Sequence, residues 1–221
     1  MNVMACIFDL DGVIVDTAKY HFRAWKRLAE QLGIEFNERD NERLKGVSRM
    51  ASLEIILELG GMQLSQERKE YFATHKNRWY NEYIDKMKPD ELLPGSIEFI
   101  NEVKNAGILV AIGSASKNTP LILERVGIHD MFDAIADGNI VSKAKPDPEV
   151  FLKAAEMLNT NPSKCVVFED AVAGIQAARN AGMLCIGIGS AQILKEADMV
   201  VRGLNEMSLE KLKNLEEKNS Q

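Results

Sequence analysis

Asp9 and Asp11 stand two positions apart and are followed at once by Gly12. Side chains two apart on an extended backbone leave it on the same side. One carboxylate can then attack an electrophile while the other moves a proton, and Gly12 allows the sharp turn that must follow. A surface turn would use the same residue types. Ser114-Ala115-Ser116-Lys117-Asn118, just before Thr119-Pro120, is a run of small hydroxylic and polar residues whose backbone N–H groups can cradle an anion at a helix start. Plain helix capping is the other reading. Lys145 precedes Pro146 and offers a point cation, with Lys143 close by as an equal candidate. Glu169 and Asp170 supply adjacent hard oxygens, which together with Asp9 suit Mg²⁺ or merely cap the next helix.

These four stretches share a setting. Each follows a short apolar run, directly or after a loop: Met4 to Phe8, Ile108 to Ile112, Ala134 to Ala136 and Cys165 to Phe168, with further runs at Leu184 to Ile188 and Met199 to Val201. Such runs lack polar alternation, as strands covered on both faces do. Helical stripes lie between them. One is opened by Thr119 as N-cap with Pro120 in its first turn and closed by Gly127; another runs through Ile175, Ala178 and Ala181 to Gly182. The pattern predicts an α/β fold with a doubly wound, Rossmann-like parallel sheet, in which ligands bind beyond the carboxyl ends of the strands. A nucleophile pair, an anion cradle, a cation and metal carboxylates would then meet in one crevice.

Residues 16–88 break the rhythm. Phe22, Trp25, Leu28, Ala29 and Leu32 form a helical face, followed by Ile55, Ile56 and Leu59 and then Phe72, Trp79, Tyr83 and Ile84. We expect a helical cap over 16–88 inserted into a core of 1–15 and 89–221, with hinges near Asp16 to Ala18 and Lys88 to Pro94. A length of 221 residues, about one and a half average domains, fits that division. The polar end from Glu216 is expected to fray.

Composition narrows the function classes. With 46% hydrophobic and 27% charged residues, disorder is excluded. Lysine and arginine number 27 against 33 acidic residues, a net charge of −6 without basic runs, so neither nucleic acid nor an anionic membrane is an expected partner. No apolar run approaches the roughly 18 residues of a membrane helix, and the N-terminal run carries Asp9 and Asp11, unlike a signal peptide. Cys6, Cys165 and Cys185 sit in separate apolar runs without paired spacing, as buried reduced thiols would. A cytoplasmic monomer is expected.

Phe8-Asp9-Leu10-Asp11-Gly12-Val13, Ser114, Lys145-Pro146 and Glu169-Asp170 match in order the four motifs of the haloacid dehalogenase superfamily, which the chain resembles over its whole length. Residues 16–25, Leu44 to Arg49, Lys76-Asn77 and Ser114 to Asn118 are similar to the phosphosugar mutases of that superfamily. The resemblance implies an isomerase of carbohydrate metabolism that interconverts β-D-glucose 1-phosphate and D-glucose 6-phosphate through β-D-glucose 1,6-bisphosphate. It makes Asp9 the nucleophile that becomes an aspartyl phosphate, Asp11 the general acid and base, and Mg²⁺ the cofactor, held by Asp9, the Asp11 carbonyl, Glu169 and Asp170. Ser114 and Lys145 would hold the transferring phosphate, and Arg49, Ser116 and Asn118 the distal one. Thr17, His21, Trp25, Lys45, Gly46, Val47, Ser48, Lys76, Ala115 and Lys117 are the remaining candidate contacts to the sugar phosphate. His21 also fits simple packing in the cap seam or a role tying cap position to Asp11, and Lys45 and Lys76 also fit solvated surface charges. The family motif selects Lys145 over Lys143, because its lysine directly precedes proline. A sugar-phosphate phosphatase, with water as acceptor, is the competing enzyme. A phospho-aspartate receiver fits poorly, because its acidic site lies on a middle strand and it has no inserted domain.

Overall fold

The computed structural model describes residues 2–44 and 47–219, so the expectations placed on Lys45 and Gly46 lie outside the described residues. Strand β1 (Ala5–Phe8) leads into four helices, α1 (Ala18–Gln31), α2 (Glu38–Glu42), α3 (Arg49–Leu59) and α4 (Gln66–Ile84). The chain then alternates: α5 (Ser96–Asn105), β2 (Leu109–Gly113), α6 (Thr119–Arg125), β3 (Ala134–Ala136), α7 (Glu149–Met157), β4 (Cys165–Glu169), α8 (Val172–Asn180), β5 (Leu184–Ile188), β6 (Met199–Val201) and α9 (Leu209–Asn219). The strands form one sheet in the order β3-β2-β1-β4-β5-β6, and every neighbouring pair is parallel.

Burial explains why the strands read as unbroken apolar runs. Cys6, Phe8, Val110, Ile112, Val166 and Phe168 enter the apolar cluster on one face, while Ala5, Ile7, Ala111, Cys165 and Val167 enter the cluster on the other. A parallel sheet covered on both sides leaves no solvent face for polar alternation. Phe8 and Phe168 stack with ring centroids 4.6 Å apart, directly beneath the site. All three cysteines are free and buried, as expected. No helix among the described residues is long and apolar enough to cross a membrane.

The helices between β1 and the return crossing have a core of their own, built from Trp25, Leu28, Leu53, Ile56, Leu57 and Trp79. Three details differ from the sequence reading. Leu59 is 38% exposed, because α3 ends there at Gly60 and the buried face passes through Leu53, Ile56 and Leu57. Thr119 is not a side-chain cap: α6 starts on it after Asn118, and its buried hydroxyl donates instead to the Ser116 carbonyl at 2.9 Å. The C-terminal helix α9 runs on to Asn219, beyond the start of the tail expected to fray.

At the two crossings, Glu91 draws the return segment against α1. Its carboxylate accepts from the Tyr20 hydroxyl at 2.5 Å and pairs with Lys19, and its carbonyl accepts from the Asp16 N–H at 3.1 Å. The Leu93 N–H also donates to the Ile14 carbonyl at 2.9 Å. The two chain segments joining helices to sheet are thus bonded to each other.

Candidate active site

In this strand order successive connections leave β1 toward β2 and then return to β4, so the crevice beyond the ends of β1 and β4 lies at the switch point of the sheet. Asp9 follows β1 and Glu169 ends β4. Lys145 closes the crevice from the segment before α7. Its Nζ donates to Asp9 Oδ1 at 2.5 Å, Glu169 Oε2 at 2.8 Å and the Gly113 carbonyl at 3.2 Å. Lys143, which also lines the cavity, pairs instead with Asp147 at 3.2 Å. Burial opposes the Lys145 charge, but Asp9 and Glu169 outweigh it and hold its ammonium above the usual lysine value. Burial raises the Glu169 carboxyl against the pull of Lys145.

Asp9, Glu169 and Asp170 each present a carboxylate oxygen within 4.8 Å of the others. Three hard oxygen donors gathered this closely suit Mg²⁺. The approach of Asp170 depends on Gly12: it has φ +83°, and a Cβ there would lie 2.3 Å from Asp170 Oδ2.

Asp11 lies beside this cluster. Burial, then the charge of Asp9, raises its carboxyl to about 7, against Lys145 and Lys76. A carboxyl poised near neutrality can serve as both acid and base. Thr17 donates its hydroxyl to Asp11 Oδ1. Fully buried, Thr17 sits behind Asp11 and does not line the cavity.

A cavity of about 600 Å³ extends from these carboxylates between the sheet end and helices α1 to α4. From the sheet side it is lined by the whole segment Ser114 to Asn118, where the Ser116 N–H donates to Ser114 Oγ at 3.1 Å and the Asn118 N–H to Ser116 Oγ at 3.2 Å. From the helical side His21, Trp25, Val47, Ser48, Arg49 and Lys76 line it. Lys76 is only 2% exposed and so is no solvated surface charge. Its ammonium lies 4.6 Å from the Trp25 ring and 4.8 Å from the Tyr80 ring, and 3.1 Å from His21 Nδ1. Burial, then Arg49, brings Lys76 down to about 7, with Asp11 pulling the other way. Burial, then Lys76 and Arg49, holds His21 well below the usual histidine range, so it accepts from Lys76 as a neutral ring.

Sequence reading gave no role to several residues that shape this cavity. Asn77 accepts from the Asn118 amide at 3.5 Å, bridging α4 to the sheet-side loop. Glu149 accepts from the Ser142 and Lys143 N–H groups at 2.9 and 2.6 Å, and Asn180 donates to the Pro146 carbonyl at 3.0 Å, so both flanks of Lys145 are tied down. Their partners are set by tertiary approach or by an irregular loop, and no spacing rule points to them.

The family model for haloacid dehalogenase-like hydrolases matches residues 3–182, which span every strand-end group described above. The chain belongs to the haloacid dehalogenase-like family. Among its relatives in that family, β-phosphoglucomutase of Bacillus subtilis is 48% identical over 210 residues, covering 94% of this chain and 93% of the relative. A phosphorylated carbohydrates phosphatase of Thermotoga maritima is 34% identical over 182 residues, covering 81% and 82%. The crystal structure of β-phosphoglucomutase from Clostridium difficile superposes with a TM-score of 0.93 at 42% identity, covering 98% of each chain. This haloacid dehalogenase-like chain is therefore an enzyme similar over nearly its full length to β-phosphoglucomutases, with phosphatases among its relatives.

Proposed function

We propose that the enzyme is a phosphosugar mutase that interconverts β-D-glucose 1-phosphate and D-glucose 6-phosphate through β-D-glucose 1,6-bisphosphate and an aspartyl-phosphate enzyme. The observation that carries this reading is a single cavity with groups for phosphate on both walls: Ser114 and Lys145 beside Asp9, and Arg49 and Lys76 across from Ser116 to Asn118. A phosphatase needs one phosphate site. A mutase needs two, because its bisphosphate must bind in either orientation. The similarity to β-phosphoglucomutases supports the same reading.

In this mechanism an Asp9 carboxylate oxygen forms a bond to the phosphorus of the bisphosphate as the bond from phosphorus to the sugar oxygen breaks. Asp11 gives its proton to that departing oxygen. In the reverse half-reaction a sugar hydroxyl passes its proton to Asp11 while its oxygen attacks the aspartyl phosphorus, restoring the Asp9 carboxylate. Reorienting the sugar between the halves exchanges the C1 and C6 oxygens. Lys145 and Ser114 orient the transferring group and offset its charge, the main demand of phosphoryl transfer. Arg49, whose fork suits a phosphate, holds the distal group with Ser116, Lys117 and Asn118. His21, Trp25, Val47 and Ser48 bound the sugar, and Thr17 orients Asp11. Asp9, the Asp11 carbonyl, Glu169 and Asp170 would hold Mg²⁺, which when bound neutralises charge on the transferring phosphate. Free buried thiols support a reducing compartment, the cytoplasm, for this enzyme.

The Thermotoga relative is named a phosphatase, so water as acceptor is the competing reading. Arg49→Ala tests the second phosphate site. We expect mutase turnover to fall about 100-fold or more, from loss of a charge-assisted bidentate contact, while phosphorylation of Asp9 by acetyl phosphate changes less than about threefold. Equal losses in the two assays would remove Arg49 from a distal site.

A further inference from the structure

We propose that Asn139, acting with Asp137 and Gly138, is a positioning residue that aims the Lys117 N–H and the Ser116 hydroxyl at the distal phosphate. The inference rests on the mutase reading above for the identity of that phosphate.

The turn after β3 grips the loop at successive points. The Ser114 N–H donates to the Ala136 carbonyl at 3.0 Å, and the Gly138 N–H to the Ser116 carbonyl at 3.2 Å. Asn139 completes the grip, its Nδ2 donating to the Lys117 carbonyl at 3.0 Å and to Asp137 Oδ2 at 2.9 Å. Both amide hydrogens are thereby used. Asp137 is 4% exposed, and its other oxygen accepts from the Asn139 N–H at 2.8 Å, so a buried carboxylate fixes the asparagine through backbone and side chain together.

The consequence follows from peptide geometry. A trans peptide sends its C=O and N–H in opposite directions. Holding the Ser116 carbonyl to Gly138 and the Lys117 carbonyl to Asn139 therefore fixes where the Lys117 and Asn118 N–H groups point. The Asn118 N–H reaches Ser116 Oγ, which leaves that hydroxyl its own hydrogen to donate. The approach needs glycine at 138, because a Cβ there would lie 2.4 Å from the Ala115 carbonyl oxygen. None of these three residues touches the Asp9 cluster in the bonds above, so the brace should act on the distal site alone.

The test compares Asn139→Ala, which removes the grip, with Asn139→Asp, which keeps the size but sets an acceptor against two acceptors. Three quantities are read in each: KM and kcat for β-glucose 1-phosphate with Mg²⁺ and the bisphosphate, phosphorylation of Asp9 by acetyl phosphate, and amide hydrogen exchange across 115–118. The proposal expects KM to rise about fivefold to twentyfold with kcat less affected, acetyl phosphate reactivity within about twofold, and faster exchange in the loop. An unchanged KM in both variants, or a matching loss in the acetyl phosphate reaction, would overturn it. Hydrogen exchange needs no turnover. If the unaltered enzyme made no glucose 6-phosphate the mutase reading would fail by itself, and unchanged exchange in both variants would still refute the brace.

Discussion

Asp9→Asn abolishes both half-reactions. An amide is not a nucleophile toward phosphorus under these conditions, so no aspartyl phosphate can form, and the expected loss is about 10⁴-fold or more in turnover. The loss is chemical, because the fold around position 9 has other supports. Lys145 keeps its 2.8 Å partner Glu169 and its bond to the Gly113 carbonyl, and β1 is paired on both sides. The substitution also withdraws a charge that helps raise Asp11, so the acid loses part of its poise as well. Intact-protein mass after exposure to acetyl phosphate and Mg²⁺ reads the outcome: the unaltered enzyme gains one phosphoryl group and Asp9→Asn gains none. Phosphorylation of the variant would assign the nucleophile elsewhere.

Lys76→Met should raise stability and lower activity together. Lys76 is 2% exposed and faces two aromatic rings, and burial, then the like charge of Arg49, pushes it down to about 7. Methionine has similar length, fills the space and carries no charge to desolvate. A lysine whose folded pKa is depressed binds fewer protons folded than unfolded between the two values. Its destabilising effect is therefore full at and below about pH 7 and fades as pH rises toward the ordinary value of 10.5. At about 1.4 kcal/mol per pKa unit the cost at neutral pH is several kcal/mol, so the variant should melt several degrees higher at pH 6.5, with the gap narrowing by pH 9.5. Turnover should fall about 100-fold, because the anionic substrate is what offsets the buried charge. A variant less stable than the parent at pH 6.5 would show that Lys76 is already well compensated without ligand.

The strands and the strand-end chemistry were legible because both obey short-range rules. A run such as Cys165 to Phe168 is apolar throughout since neighbours cover both its faces, and Glu169-Asp170 then stands out as the first polar pair after it. Elements and roles set by tertiary approach were not legible. Helix α2 spans only five residues, Glu38–Glu42, and is held by a capping box between Asn37 and Asp40 without an apolar stripe to announce it. Lys76, a candidate substrate contact by resemblance, still allowed a surface-charge reading until Trp25 and Tyr80 closed over it. Thr119 looked like a helix cap, yet its hydroxyl turns back to Ser116. Asn77 and Asn139 reach partners 41 and 22 positions away, distances at which no local pattern operates.

The central claim is that the acceptor for the phosphoryl group on Asp9 is a sugar hydroxyl. It is tested most directly by supplying the enzyme with β-glucose 1-phosphate, Mg²⁺ and a trace of β-glucose 1,6-bisphosphate, and measuring glucose 6-phosphate and inorganic phosphate in the same reaction. The account expects glucose 6-phosphate to form in large excess over phosphate. Inorganic phosphate as the main product would contradict it and make the enzyme a phosphatase.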